Sequence, residues 1–298
     1  MPSRTPFSSR EQQAEFASGP PGRTLRSLNH ALDVLEALAA RPDGEAGVRE
    51  LALALGTSAS AMHSVLRNLL NRGYIQQDAV TRRYQLGLAA WRLGSRVSFV
   101  DRIRSAAKPV LESLSALTRE TSLLSLYDHG EVLYVECVQS PEPVASYVRV
   151  GERAPAYCTA SGKVQLAHQP AVELDRLYQA GFEHFTSTTL EDLASLRAEL
   201  GDVHRTGYAV NRAERQPEIV GIASPVRDAT GAVVAGLGVS GPAYRIPAER
   251  AEEMAGAVAQ GAGALSRALG WPGAGSSQTA RDGERGPASH GAAGTGRA

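Results

Sequence analysis

The stretch from Val48 to Gly87, VRELALALGTSASAMHSVLRNLLNRGYIQQDAVTRRYQLG, constrains the fold more than any other part of the chain. A helical pattern from Arg49 to Leu55 breaks at Gly56-Thr57-Ser58, and a longer one runs from Ala59 to Asn71. Two helices joined by a short glycine-containing turn form a helix-turn-helix. In the second helix Met62, Val65, Leu66 and Leu69 recur at i, i+3, i+4 and i+7, the stripe that a helix buries. Ser60, His63, Ser64 and Arg67 fall on the opposite face, free to enter a major groove. Beyond Arg72-Gly73, the extended runs 74–77 and 83–86 flank a turn from Asp78 to Arg82. They read as a hairpin wing with Arg82 and Arg83 near its tip.

A plain helical hairpin on a two-stranded ribbon would explain the apolar stripe but not the charge. Between Thr57 and Val100 six arginines (67, 72, 82, 83, 92, 96) face a single acid, Asp78. The whole chain is neutral, with 31 basic and 31 acidic residues. A basic excess confined to this module is what phosphate neutralisation requires. Double-stranded DNA is therefore the expected partner. Arginine abundance alone argues nothing, because the chain has only two lysines, Lys108 and Lys163, alongside many Ala and Gly residues, a bias typical of genome composition.

At 298 residues, 43% of them hydrophobic, the chain has room for two domains with sizeable cores. No run approaches the ~18 apolar residues of a membrane span, and MPSRTPFSSREQQ lacks the apolar segment of a secretory signal. Two cysteines, Cys137 and Cys158, give neither a disulfide framework nor a zinc site, so the expected compartment is the cytoplasm. The histidines show no metal spacing, and no phosphate-binding glycine loop is present. No cofactor or metal is expected, nor is enzymatic activity. Cys158, close in sequence to His168, has nothing that places a base beside it.

Residues 1–23 and 272–298 are polar and aperiodic and read as disordered tails. Residues 24–87 form the winged domain. Its first helix spans Leu25 to Ala39, with Leu28, Leu32, Leu35 and Leu38 as the expected buried face. Residues 88–100 read as a linker helix carrying Trp91 and Leu93. Residues 101–271 form an α+β domain on an antiparallel sheet. It begins with a helix from Asp101 to Thr118, with Ile103, Val110, Leu111, Leu114 and Leu117 inward. Strands follow at 122–127 and 131–138, joined by Asp128-His129-Gly130, a hairpin signal, with a third strand at 144–150. Helices are expected at 159–167, 171–180 and 190–205, strands at 208–211, 219–227 and 233–240, and a closing helix from Pro247 to Leu269.

The winged motif, then RVGERAPAYCTASGK, then GYAVNRAERQPEIVGIASPVRDATGAVVAGLGVSGP, together resemble the IclR family of bacterial transcriptional regulators. The resemblance spans about Ser27 to Leu269. It implies a winged-helix domain, a linker helix and a GAF-like C-terminal domain that binds a small effector and oligomerises. It also implies a regulator, more often a repressor, that works as a homodimer or homotetramer on an operator. The effectors implied are organic or aromatic acids. By motif position the effector residues are Ala160, Ser161 and Gly162 at the start of a helix capped by Thr159, then Asn211, Gly221, Gly238 and Ser240. The amides of that first turn form an anion site, to which Lys163 could add charge. Two glycines in the wall would favour an effector bulkier than a two- or three-carbon acid. Family members often carry Asp where this chain has Asn211, and Lys, Thr and Arg where it has Ala59, Ala61 and Ser64. A second reading keeps DNA binding but gives the C-terminal domain an oligomerising role only.

Overall fold

The computed structural model describes residues 25–273 except Ala180, and the chain divides into two units between Val97 and Ser98. Apart from Pro272 and Gly273, the expected disordered tails lie outside the described residues, as does the expected end of the 171–180 helix.

The first unit runs α1 (Arg26–Ala40), β1 (Glu45–Ala46), α2 (Val48–Ala54), α3 (Ala59–Asn71), β2 (Ile75–Gln77), β3 (Tyr84–Leu86) and α4 (Leu88–Gly94). The Ser58 hydroxyl accepts the Ala61 N–H at 3.2 Å and caps α3. Met62, Leu66 and Leu69 turn inward onto Val34, Leu38, Leu51, Ile75 and Tyr84, which form one core. The wing is a three-stranded antiparallel sheet in the order β1-β3-β2. Its two-residue β1 is too short to leave a periodic signal. On α1 the expected buried face is only partly buried. Leu38 is sealed, but Leu28 and Leu32 are 54% and 49% exposed, because they border an open groove between α1 and α3. The expected linker helix stops at Gly94. A turn over 95–97 separates it from the next helix, where glycine's low helix propensity favours a break.

The second unit runs α5 (Ser98–Thr118), β4 (Thr121–Asp128), β5 (Glu131–Val138), β6 (Arg153–Pro155), a 3-10 turn (Ala156–Cys158), α6 (Ala160–Leu166), α7 (Ala171–Tyr178), α8 (Leu193–Thr206), β7 (Ala209–Arg212), β8 (Ile219–Arg227), β9 (Val233–Pro242) and α9 (Ala248–Ala268). The strands form one antiparallel sheet in the order β6-β5-β4-β9-β8-β7. At the β4–β5 hairpin His129 and Gly130 both have positive φ, 48° and 92°, as a two-residue type I′ turn requires.

Alternation along β8 sets the layers. Val220 and Ile222 face a core shared with Ile103, Leu111 and Leu114 of α5 and Met254, Val258 and Leu265 of α9. Gly221 lies on the opposite face with Ala223, which packs against Ala160 and Val164 of α6. On that second face Leu166, Leu174, Leu196 and Leu200 of α6, α7 and α8 pack with Leu123, Val132 and Tyr134. Leu117, expected inward, is exposed, and Ser115 and Thr118 are buried in its stead.

The expected strand at 144–150 is irregular. Its alternation is real, since Ser146 and Val148 are buried while Val144, Tyr147 and Val150 are exposed. Side chains, however, satisfy its backbone in place of a ladder. Thr121 Oγ1 donates to the Ser146 carbonyl at 2.7 Å and Gln139 Nε2 to the Val148 carbonyl at 2.6 Å. None of the described helices is long and apolar enough to cross a membrane.

Candidate functional sites

In the first unit Ser60, His63, Ser64 and Arg67 are all exposed on one face of α3. The wing separates its two arginines. Arg82 sits at the turn with φ 59° and is exposed. The turn is built on the Asp78 carboxylate, which accepts the Thr81 and Val80 N–H groups at 2.6 and 2.9 Å. Those bonds, the Thr81 amide first, hold the Asp78 carboxyl below its usual range. Arg83 turns the other way. It donates to Glu50 Oε1 at 3.0 Å and to the Glu45 carbonyl at 3.1 Å, and it lies 3.5 Å from Asp43. The Glu50 hydrogen bond is the main cause of its raised pKa. Its guanidinium ties the wing to α2.

In the second unit the sheet face opposite α5 and α9 holds a cavity of about 60 Å³. Strand register explains how distant residues meet there. Asn211 of β7 pairs with Gly221 of β8, and Gly221 pairs with Ser240 of β9, forming one row across three strands. Ala160 and Ser161 of α6 form the facing wall, and Ser146 and Val148 of the irregular segment close one side. Ser240 Oγ donates to Ser146 Oγ at 2.8 Å, and the Asn211 amide nitrogen donates to the Cys158 carbonyl. Five of the seven sequence-derived effector positions thus line one cavity: Ala160, Ser161, Asn211, Gly221 and Ser240.

Gly162 and Gly238 do not line it. A Cβ on Gly162 would lie 2.1 Å from the Ala156 carbonyl oxygen, and one on Gly238 would lie 2.4 Å from that of Ile222. Both glycines serve close backbone approach. The Gly162 N–H is already donated to Thr159 Oγ1 at 3.1 Å, so that amide is committed to the cap. Only one of the two glycines expected in the wall, Gly221, therefore leaves room for an effector. A cavity holding benzene measures about 150 Å³.

Lys163 is neither solvated nor at the cavity wall. It is 1% exposed and its Nζ lies 2.5 Å from Glu199 and 2.6 Å from Glu214. Burial pushes the Glu214 carboxyl up, against the opposing pull of Lys163. Cys158 is among the cavity residues, yet burial pushes its thiol pKa up to about 12, the reverse of an activated nucleophile. His168 has other neighbours, with Arg227 at 3.3 Å and the His204 ring at 5.0 Å. Among the described residues no group of His, Cys, Asp or Glu is arranged to hold a metal.

Sequence reasoning missed Arg215, Glu152, Tyr134 and Ser146, all in the cavity wall. Arg215 follows Asn211 within the motif already singled out, and its charge was the available signal. Ser146 comes from the segment read as a strand, and Glu152 lies just beyond it, inside the motif RVGERAPAYCTASGK.

A helix-turn-helix with an exposed polar recognition face, followed by a unit with a small cavity on one face of its sheet, defines a DNA-binding transcriptional regulator. Two family models match the chain: "IclR helix-turn-helix domain" over residues 27–79 and "Bacterial transcriptional regulator IclR C-terminal" over residues 97–267. The transcriptional regulator BhcR of Paracoccus denitrificans is 32% identical over 243 residues, 81% of this chain and 86% of that protein. KdgR of Escherichia coli is 32% identical over 251 residues, 83% of this chain and 94% of that protein. The crystal structure of an IclR regulator from Alicyclobacillus acidocaldarius superposes with a TM-score of 0.71 at 26% identity, covering 83% of this chain and 99% of that one. The chain belongs to the IclR family of bacterial transcriptional regulators.

Proposed function

We propose that this regulator is a cytoplasmic homodimer or homotetramer that represses by occupying an operator, and that an organic acid bound in the second unit's cavity changes its grip on DNA. Repression needs no surface beyond the operator contacts, since a bound protein excludes whatever else must bind there. Arg67, with Ser60, His63 and Ser64, would read base edges, and Arg82 would contact phosphate.

The carrying observation is the cavity itself. Asn211, Gly221 and Ser240 converge with Ala160 and Ser161 on one partly open space with mixed polar and apolar walls. A domain that served only to oligomerise has no need of such a space. Its volume of about 60 Å³ favours a short-chain acid over an aromatic one. Self-association is supported by the half-exposed Leu28 and Leu32 beside the α1–α3 groove and by exposed Trp91 and Leu93. Apolar side chains clustered this way mark interaction surfaces. The buried, protonated Cys158 speaks against catalysis at this site.

Thermal denaturation of the full chain against a panel of organic acids tests the reading, because a ligand that binds the native state stabilises it by mass action. A saturable shift that is lost in Gly221→Leu is the expected result. No shift with any acid would favour the oligomerising role alone.

A further inference from the structure

We infer that Arg215 is the residue that recognises the effector's carboxylate, and that Glu152 occupies it in the free protein as an internal competitor. This rests on the reading that the cavity is the effector site.

Among the described residues, Glu152 and Arg215 are the only two charged ones in the cavity wall. Arg215 is well held from behind. Thr186 Oγ1 donates to the Ala213 carbonyl at 2.7 Å and Thr189 Oγ1 to the Glu214 carbonyl at 2.6 Å. The buried Lys163 anchors Glu214 at 2.6 Å. The residue next along is therefore delivered from an immobilised loop, whereas its guanidinium is poorly used. Its contacts to Glu152 Oε1 and to the Arg153 carbonyl are all 3.4 Å long. A committed arginine in the same unit looks different: Arg245 reaches Glu120 at 2.6 and 2.8 Å. Charge-assisted pairs normally close to about 2.7–2.9 Å. Arg215 thus faces the cavity with hydrogen-bonding capacity to spare.

Its charge is felt inside. Burial raises the pKa values of the Tyr134 phenol and the Cys158 thiol, and Arg215 is the first charge opposing that rise at both. An anion placed among these side chains meets the same attraction. Exchanging Glu152 for an effector carboxylate leaves Arg215 paired in both states, so no buried charge is left uncompensated. The released Glu152 has water at hand, since its side chain is already 32% exposed.

The exchange also has a structural readout. Glu152 Oε2 accepts the Arg149 N–H at 3.3 Å, so this carboxylate also fixes the irregular segment that carries Ser146 and Val148. An acid that displaces Glu152 removes that tether while the bonds from Thr121 and Gln139 remain, and a neutral molecule of the same shape does not. Differential stabilisation of two states is the requirement for a ligand to shift a regulator.

The test uses the full chain, with acetate, propionate, lactate and pyruvate as probes and acetamide, propionamide and lactamide as neutral counterparts. Affinities are read from the concentration dependence of Tm at matched chloride ionic strength. At least one acid is expected to bind saturably and its amide not to bind. Arg215→Met and Arg215→Gln should both weaken that acid by roughly 10–100-fold. Glu152→Gln should tighten it by up to about fivefold, a gain that misfolding cannot produce. Absence of binding by every acid, or equal binding of acid and amide, overturns the inference. Unchanged affinity in both Arg215 variants, with binding lost in Gly221→Leu, overturns it while leaving the cavity as the effector site. Unchanged affinity in Gly221→Leu as well overturns the cavity reading itself.

Discussion

The DNA-binding unit and the cavity unit solve the problem of placing functional side chains in opposite ways. In the first, every candidate contact residue lies between Ser60 and Arg83 on one helix and its neighbouring wing. Helical periodicity alone then decides which side chains face out. In the second, the wall is assembled from segments between Leu123 and Ser240, brought together by strand register and by an irregular segment. A site of the first kind tolerates changes to its exposed side chains. A site of the second kind depends on backbones that pass close together.

The largest effect should come where backbones touch. Gly162→Leu forces a Cβ to within 2.1 Å of the Ala156 carbonyl oxygen. Overpacking of this kind should cost about 3 kcal/mol or more and lower Tm by roughly 6–12 °C in calorimetry. Gly221→Ala, whose Cβ would meet Ala160 at an ordinary 3.6 Å, should leave Tm nearly unchanged. Equal Tm losses in the two variants would erase the distinction between a packing glycine and a cavity glycine.

Next comes Arg67→Ala. The side chain is exposed on α3, so the fold should be intact while operator affinity falls by roughly 1–3 kcal/mol and specificity relaxes at one base position. A binding profile over a randomised operator measures both.

The wing offers a finer contrast. Arg82→Ala should weaken all duplexes alike and lower the salt slope by about 1, with Tm unchanged. Arg83→Ala should instead lower Tm, since it removes the contacts to Glu50 and Glu45. Salt titrations alongside melting curves separate the two. A salt slope reduced by Arg83→Ala with no change in Tm would return Arg83 to the phosphate-binding set.

The last effect concerns pH and is absent at neutral pH. Burial, assisted by Arg227 and His204, lowers the His168 pKa from 6.5 to about 4. The unfolded chain therefore binds a proton that the folded chain refuses between those values. Stability should fall as pH drops from about 6.5 towards 4 and be fully present above that window. His168→Gln should flatten this dependence in pH-resolved melting curves, and an unaltered slope would exclude His168 as its source.

Legibility in the sequence followed the same division. The limits of α3 match the run from Ala59 to Asn71, because a sustained apolar stripe and a serine cap leave little freedom. The β4–β5 hairpin was legible because His129-Gly130 accepts the positive φ its turn needs. Where the pattern misled, side chains had replaced a backbone partner or a partner surface was open. The 144–150 segment alternates like a strand while its carbonyls bond to Thr121 and Gln139. Leu28 and Leu32 repeat like a buried face while bordering a groove. In the cavity, Asn211, Gly221 and Ser240 were accessible through the family motif. Lys163 and Arg215 had their surroundings set by acids far along the chain, Glu214 and Glu199 for the one and Glu152 for the other. No local pattern carries that information.

Regulation by an effector requires the cavity and the DNA face to be energetically linked, and linkage makes a quantitative demand. The direct measurement is titration calorimetry of the full chain with the acid that stabilises it, in the absence and presence of a saturating operator duplex selected from a random library. DNA is expected to change the acid's Kd by the same factor by which the acid changes the operator's Kd, and Gly221→Leu to abolish both shifts without altering operator affinity in acid-free buffer. An acid that binds with one Kd whether or not the operator is present would show that the two sites are not linked.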